Sequence, residues 1–396
     1  MEKRNTPVYI IDLYIIGHNH IVINSGIVSA LSAIFKDRQV VFAGEKVHTS
    51  LIEEKNRRLS NIRYQSFEDR QLPDQRSRRI FLWANKKLKD LNLIYRTFGS
   101  GSDDSINYVF LTNAGSLTLV LANIYARFFK NFRLVILLHG ELEYIYMPGI
   151  ARVQKVKAFL YKWLLSHMSE QTNCIVLSSF VEQKLTGDGL ADPKKLFSID
   201  HPVLMPTVAW TTLSDKITFG HIGRAVKMKN SAMFFQLANE FTSEISSGQT
   251  AFYLAGRLYD IGVGESTVIS FSSMNNTVPQ DAYEPFIQQF DYAVFTFEKD
   301  NYVYRISGSV MDAINFGKPI IGLRHVYLDH LFKTSGNIGF LCDGYPDLVA
   351  LTKRLILKDP LLVNQYAAQQ ANLQALQQRY SVDQLKENLI TILNEI

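Results

Sequence analysis

"TFGHIGRAVKMKN", residues 218–230, begins as an apolar run, turns on Gly220 and Gly223, and sets Arg224, Lys227 and Lys229 ahead of a helical pattern. After a strand, glycine permits a tight turn and close backbone approach. The helix that follows offers free N–H groups, and an Arg with a Lys supplies charge, so the arrangement suits a diphosphate. The same residues also suit a surface turn with solvated cations. A second stretch, "YVYRISGSVMDAINFGKPIIG" at 302–322, bears on the choice. There Ser307, Gly308 and Ser309 precede an amphipathic helix carrying Val310, Ala313, Ile314 and Phe316. Gly317 ends that helix and Pro319 opens a buried strand. Its N-terminus is a second anion site, although N-capping by a serine alone accounts for the pattern.

Outward from these stretches, short strand-like runs alternate with segments of helical length. In the first half the runs are "VYIIDLY", "QVVFAGE", "NIRYQSF", "YVFLTN", "RLVILLH" and "CIVLSS". Such alternation predicts parallel strands joined by crossover helices. The rhythm breaks at "IDHPVLMPTVAWTTLSDK" with Pro202 and Pro206, then restarts through "ITFGHIG", "AFYLAG", "YAVFTFE", "PIIGLR" and "IGFLC". A chain of 396 residues exceeds the size at which one core keeps growing. The expectation is an α/β protein with two Rossmann-like, doubly wound domains: 1–205, 206–375, and a terminal helix over 376–396 packing back on the first. Ligands of such sheets sit at the carboxyl ends of the strands.

Composition narrows the function classes. With 47% apolar and 20% charged residues the chain reads as a soluble globular protein. A net charge of +5 is modest for this length and argues against a dedicated nucleic-acid binder. Cys174 and Cys342 lie in apolar runs and read as small buried residues in a reducing compartment. The N-terminus carries no signal-peptide pattern, so a cytoplasmic location is expected. The longest apolar run, residues 108–129, is broken by Asn113, Gly115, Ser116 and Asn123, which predicts a strand, a turn and a helix instead of a membrane span.

Two phosphate-capable turns in this order, followed by "GKPII", resemble the donor half of GT-B glycosyltransferases, in particular the retaining, nucleotide-sugar-using branch. The resemblance covers the second half of the chain and implies two Rossmann-like domains facing each other across a cleft. It implies transfer of a sugar from a nucleotide diphosphate donor to a hydroxyl of a glycan or lipid-linked acceptor, as in bacterial polysaccharide or glycoconjugate synthesis. By that likeness Gly223, Arg224 and Lys229 form the pyrophosphate turn. The Ser307–Gly308–Ser309 backbone caps the distal phosphate, and Asp312 belongs to the helix before Gly317, Lys318 and Pro319. The stretch "SMNNTVPQDAYEPFIQQFDYAVF" matches the segment that seats the base near Val278 and Pro279, with Tyr283 opening the next helix. One departure is Tyr304, at a position where the family often has a glutamate.

In the first half, Gly17, His18, Asn19 and His20 follow the first strand, where the family has a glycine-containing loop on the acceptor side. Without the likeness they read as a polar loop. Family members also carry a histidine at the end of the strand that precedes "HGELEYIY", which makes His139 the first catalytic candidate and Glu141 the second. A histidine beside a carboxylate can orient a hydroxyl or accept its proton near neutral pH. No metal is expected: the paired histidines lack a Cys or carboxylate at ligand spacing, and Asp103–Ser105 read as turn residues. No cofactor beyond the donor substrate is expected. Basic residues gather at Arg57, Arg58, Arg76, Arg78, Arg79, Lys86, Lys87 and Lys89, in "RFFKNFR", and in "ARVQKVKAFLYKWLLSHM". That pattern fits either a peripheral contact with the anionic inner face of the cell membrane or a solvated face over a packed stripe. Outside the enzyme class, a scaffold that kept the fold is the alternative. A nicotinamide-dependent enzyme is disfavoured, because the first strand lacks a G-x-G-x-x-G turn.

Overall fold

The computed structural model describes residues 6–18, 20–68, 79–98, 106–146, 151–203, 212–259, 268–272 and 280–396. It divides into two compact units, Met1–Val203 with Tyr380–Ile396, and Leu204–Arg379.

The first unit runs β1 (Val8–Asp12), α1 (Ile21–Ile34), β2 (Val40–Glu45), α2 (Lys46–Lys55), β3 (Ile62–Phe67), α3 (Arg79–Phe98), β4 (Asn107–Asn113), α4 (Ser116–Ala126), β5 (Phe132–Leu138), α5 (Arg152–Ser166), β6 (Thr172–Val176), α6 (Ser179–Gly187) and β7 (Leu196–Ser198). All pairings are parallel, in the order β3-β2-β1-β4-β5-β6-β7. A parallel sheet covered on both faces needs apolar strands, and β2, β5 and β6 are almost wholly buried. The long apolar run at 108–129 folds as the expected strand, turn and helix. Cys174 is buried and free.

The second unit runs β8 (Ile217–Ile222), α7 (Ser231–Glu240), α8 (Thr242–Ser246), β9 (Thr250–Ala255), β10 (Ile269–Phe271), α9 (Gln280–Gln288), β11 (Tyr292–Phe295), α10 (Gly308–Asn315), β12 (Ile320–Leu323), α11 (Val326–Ser335), β13 (Gly339–Cys342), α12 (Tyr345–Ile356), α13 (Pro360–Val363) and α14 (Tyr366–Arg379). Its parallel sheet has the order β10-β9-β8-β11-β12-β13. The chain then closes with α15 (Val382–Glu395), which packs on α1 in the first unit. The core of the second unit is aromatic: the Phe219 and Phe252 rings lie 5.1 Å apart, with Phe234, Phe235 and Tyr292 buried around them. Gly220 is required here, because a Cβ at that position would fall inside the Phe290 ring. Asp291 ties the elements together by accepting from Thr218 N at 2.8 Å and Thr218 Oγ1 at 2.7 Å. The buried Lys318 ammonium donates to the Phe290 carbonyl at 2.7 Å and the Gln288 carbonyl at 3.1 Å, so the lysine of "GKP" closes the end of α9.

Each sheet reverses its strand order once, between β1 and β4 and between β8 and β11. Those switch points are where crossovers leave in opposite directions and a crevice opens at the carboxyl ends.

Candidate functional site

At the β8/β11 switch point the chain leaves β8 through Gly223, at φ +84°. A Cβ there would overlap Ser309 Oγ and approach Lys229 Nζ to 2.9 Å, so only glycine leaves both groups in place. Lys229 ends a single 3-10 turn, Lys227–Lys229, which is held from the segment that follows β11: Asn301 Nδ2 donates to the Met228 carbonyl at 2.8 Å and Thr296 Oγ1 to the Asn230 carbonyl at 3.0 Å. The Lys229 ammonium in turn donates to Ser309 Oγ at 2.5 Å, joining the β8 turn to the first turn of α10. Burial lowers its pKa to about 8, opposed by Asp312 and reinforced by Arg224 and Arg305, so three cations share one field. Asp312 is pushed up to about 6 by burial, while Tyr283 donates to its carboxylate at 2.9 Å.

Ser307 stands at the N-cap position of α10, buried, but its hydroxyl makes no capping bond and has no hydrogen-bond partner among the described residues. The N–H groups of Val310 and Met311 return to the Ser307 carbonyl. Those of Gly308 and Ser309 belong to the open first turn, which an α-helix leaves without an internal acceptor. Two cations, Arg224 and Lys229, and the start of α10 with its unpartnered Ser307 hydroxyl thus belong to one switch point. The chemistry they support is binding of a group with at least two negative charges.

At the β1/β4 switch point the organising residue is Asp12, buried at the end of β1 where the register with β4 shifts. Its carboxylate accepts from Ile15 N at 2.9 Å, Asn24 Nδ2 at 2.7 Å and Thr112 Oγ1 at 3.3 Å. Asn24 Nδ2 also lies 2.9 Å from His48 Nε2, whose Nδ1 lies 2.8 Å from the Gly17 carbonyl. The Gly17 N–H donates to Glu45 at 3.3 Å, and the same carboxylate caps α2 through Val47 N and His48 N. The loop after β1 is therefore fixed from β2 and α2. His139 directly follows β5 and is buried, with its ring centroid 4.9 Å from that of His20 and no partner for Nε2 among the described residues. Burial first, then His20 and His201, hold His139 well below the ordinary histidine value, so it is neutral at pH 7. Half-buried Glu141 is raised by burial, with Asp12 adding to the rise.

No protein-family model matches this chain, and no curated protein does. Solved structures do. Anabaena HepE, in complex with UDP and glucose, superposes with a TM-score of 0.64 at 14% identity, covering 99% of this chain and 100% of that one. The lipopolysaccharide outer core galactosyltransferase WaaB in its apo form gives 0.64 at 13% identity, covering 98% and 100%. For a TarM chain the TM-score is 0.55 at 16% identity, over 77% of this chain, which spans 58% of the length of that one. The chain has the GT-B fold.

Within this GT-B chain, Gly223, Arg224, Lys229, Tyr283, Ser309 and Asp312 gather at one switch point, with Ser307 and Gly308 at the adjoining helix start. The sequence placed Ser307 to Ser309 before the helix, but Gly308 and Ser309 are its first two residues, because the Ser307 carbonyl already takes the first helical bonds. In the first unit Gly17 joins the Glu45–His48 network, His18 is exposed, and His139 and Glu141 lie at the end of β5. Asn19 and Val278, and the Asp103–Ser105 turn, lie outside the described residues. Among the described residues no group of three or more His, Cys, Asp or Glu could hold a metal ion. Sequence reading missed Arg305, which stacks over Tyr302 at 4.4 Å and contributes to the Lys229 field. It also missed Asp12, although a lone acid in the apolar "VYIIDLY" was a visible signal: carboxylates are seldom fully buried without hydrogen-bonding partners.

Proposed function

We propose that this chain is a glycosyltransferase that moves a sugar from a nucleotide diphosphate donor to a hydroxyl of a glycan or lipid-linked acceptor, with retention and without a metal ion. The observation that carries the reading is the Lys229–Ser309 link beside Gly223, which brings a cation, a flanking guanidinium and an open helix start to one spot. In this role Arg224 and Lys229 stabilise the diphosphate as the anomeric C–O bond breaks and its electron pair leaves on the phosphate oxygen. Gly308 and Ser309 N–H groups, with the Ser307 hydroxyl, hold the distal phosphate. Asp312, oriented by Tyr283, keeps Lys229 charged and in position. In the first unit, the Nε2 atom of neutral His139 accepts a hydrogen bond from the acceptor hydroxyl, with Glu141 beside it and Gly17 and His18 bordering the acceptor.

UDP accompanies HepE in its solved structure and TarM in another, so uridine donors come first in the assay. Release of nucleoside diphosphate and of glycosylated product is measured with UDP-, GDP- and ADP-sugars, for wild type and Arg224→Ala. Turnover with one donor class, lost in the variant, supports the proposal. A non-catalytic GT-B-fold binder is the second reading, favoured by buried Tyr304 where the likeness has a glutamate. Nucleotide binding without turnover on any donor would establish it.

A further inference from the structure

Helices α3, α4 and α5 pack side by side on the first unit, and their outer surface departs from the rest of the molecule in two respects at once. The first is charge. Residues 79–98, 116–133 and 152–167 contain twelve Lys and Arg and a single acid, Asp90, which is buried. These three segments carry a formal +11, against +5 for the whole chain, so the remainder is net acidic. Lys87 is spent inside, 3.8 Å from Asp90 and 2.9 Å from Thr118 Oγ1. Lys89, Arg127, Lys130, Arg152, Lys155 and Lys162 are exposed and make no ion pair among the described residues.

The second is apolar exposure. Half of the large apolar side chains exposed among the described residues lie on these same segments, including Leu88, Ile124, Phe128, Val153, Val156 and Phe159. Phe128 is 75% exposed and Phe159 64%. On α5 the positions 152, 155, 156, 159 and 162 follow helical spacing, so Val156 and Phe159 sit between Arg152, Lys155 and Lys162 on one stripe. Tyr95 of α3 meets Tyr125 of α4 at 5.4 Å, and Tyr125 meets Phe128 at 6.3 Å, continuing the apolar surface across the helices.

We propose that the α3–α4–α5 face is a docking surface for an anionic lipid bilayer, with Val156, Phe159 and Phe128 entering the headgroup layer and the lysines and arginines around them meeting lipid phosphates. Exposed aliphatic and aromatic side chains between cations fit an interface that is apolar a few ångströms below its charged surface. A nucleic acid offers phosphates but nothing to bury Val153 and Val156. A second copy packed face to face would set these cations against one another with no acid to meet them. The α5 end of the face packs on the short turn that follows His139, and Lys157 lies 5.2 Å from the Tyr144 ring of that turn, so docking brings the His139 region close to the lipid surface. The inference does not depend on the transferase reading, since lipid binding requires no donor and no turnover.

The test is co-sedimentation of the full chain with vesicles of phosphatidylcholine alone and of phosphatidylcholine with about one third phosphatidylglycerol, a composition that sets a negative surface potential. Binding is expected at least about tenfold tighter to the anionic vesicles and weaker as salt is raised. The variant Lys155→Gln/Val156→Ser/Phe159→Ser/Lys162→Gln should lose at least about tenfold in vesicle affinity with an unchanged melting temperature. If that variant melts early, Lys155→Gln/Lys162→Gln alone decides, with an expected loss of at least about fivefold. No binding to either vesicle, equal and salt-independent binding to both, or an unaffected variant overturns the proposal. So does a variant that loses self-association or RNA binding while its vesicle affinity stays at the wild-type value.

Discussion

Replacing Gly223 by alanine perturbs the proposed donor site in a way whose magnitude the geometry sets. The residue sits at φ +84°, where an L-residue pays roughly 1–2 kcal/mol of strain. Gly189, at φ +68° with open space where a Cβ would stand, carries the same strain without a neighbour and serves as the control. For a domain of this size that strain alone lowers the melting temperature by about 2–8 °C. At Gly223 the new methyl group must also displace Ser309 Oγ or Lys229 Nζ, which opens the 2.5 Å bond between them. A hydrogen bond to a charged group contributes about 1.5–3 kcal/mol. If the same ammonium holds the donor phosphates, nucleotide affinity drops about 10- to 150-fold. The assay is thermal shift with titrated UDP, GDP and ADP on both alanine variants. Gly189→Ala should lose stability and keep wild-type affinity, whereas Gly223→Ala should lose both. A Gly223→Ala protein that binds its nucleotide as wild type does would refute the reasoning.

His139 is held neutral by burial, so the acid limb of kcat/KM should lie below pH 6.5, and His139→Ala should lower kcat by about 10²–10⁴-fold; an acid limb above 6.5 contradicts the assignment. Stability should also fall with acid. The folded pKa values of His201 and His221 are lowered to about 4 and about 3, so their contribution is complete above the unfolded value near 6.5 and is lost as pH falls through that window. Asp312, raised to about 6, acts in the opposite sense, favouring the fold as pH falls from 6 towards its unfolded value of 3.8. Two histidines losing stability from pH 6.5 downward act over a wider window than one carboxyl gaining it from pH 6, so the denaturant midpoint should be lower at pH 4.5 than at pH 7.5, with a smaller difference in His221→Phe.

The sequence carried the fold where the physics is local. Apolar runs of four to seven residues marked most strands, because a parallel strand covered on both faces has no polar side to disguise it. The three-residue strands β7 and β10 gave no such run and were not anticipated. Gly223 was legible because a glycine after a strand implies backbone conformation, and its φ of +84° bears that out. Its partners were not: Arg305 reaches the Lys229 field from a loop 76 positions along the chain, and no spacing rule encodes that meeting. Lys87 read as one more surface cation beside Lys86 and Lys89, yet it is buried, because Tyr14, Thr118 and Asp90 receive it. His139 drew attention through a resemblance, and its neutrality depends on burial and on His20 and His201, which only the folded chain brings near.

Isothermal titration of UDP, GDP and ADP into wild type and Arg224→Ala reaches the central claim most directly. Arg224 is exposed and its loss should leave the melting temperature in place. The account predicts saturable heat with one of the three diphosphates, weaker binding of the corresponding monophosphate, and an affinity about 10-fold or more lower in the variant. Absence of heat with all three, or equal affinity in wild type and variant, would contradict it.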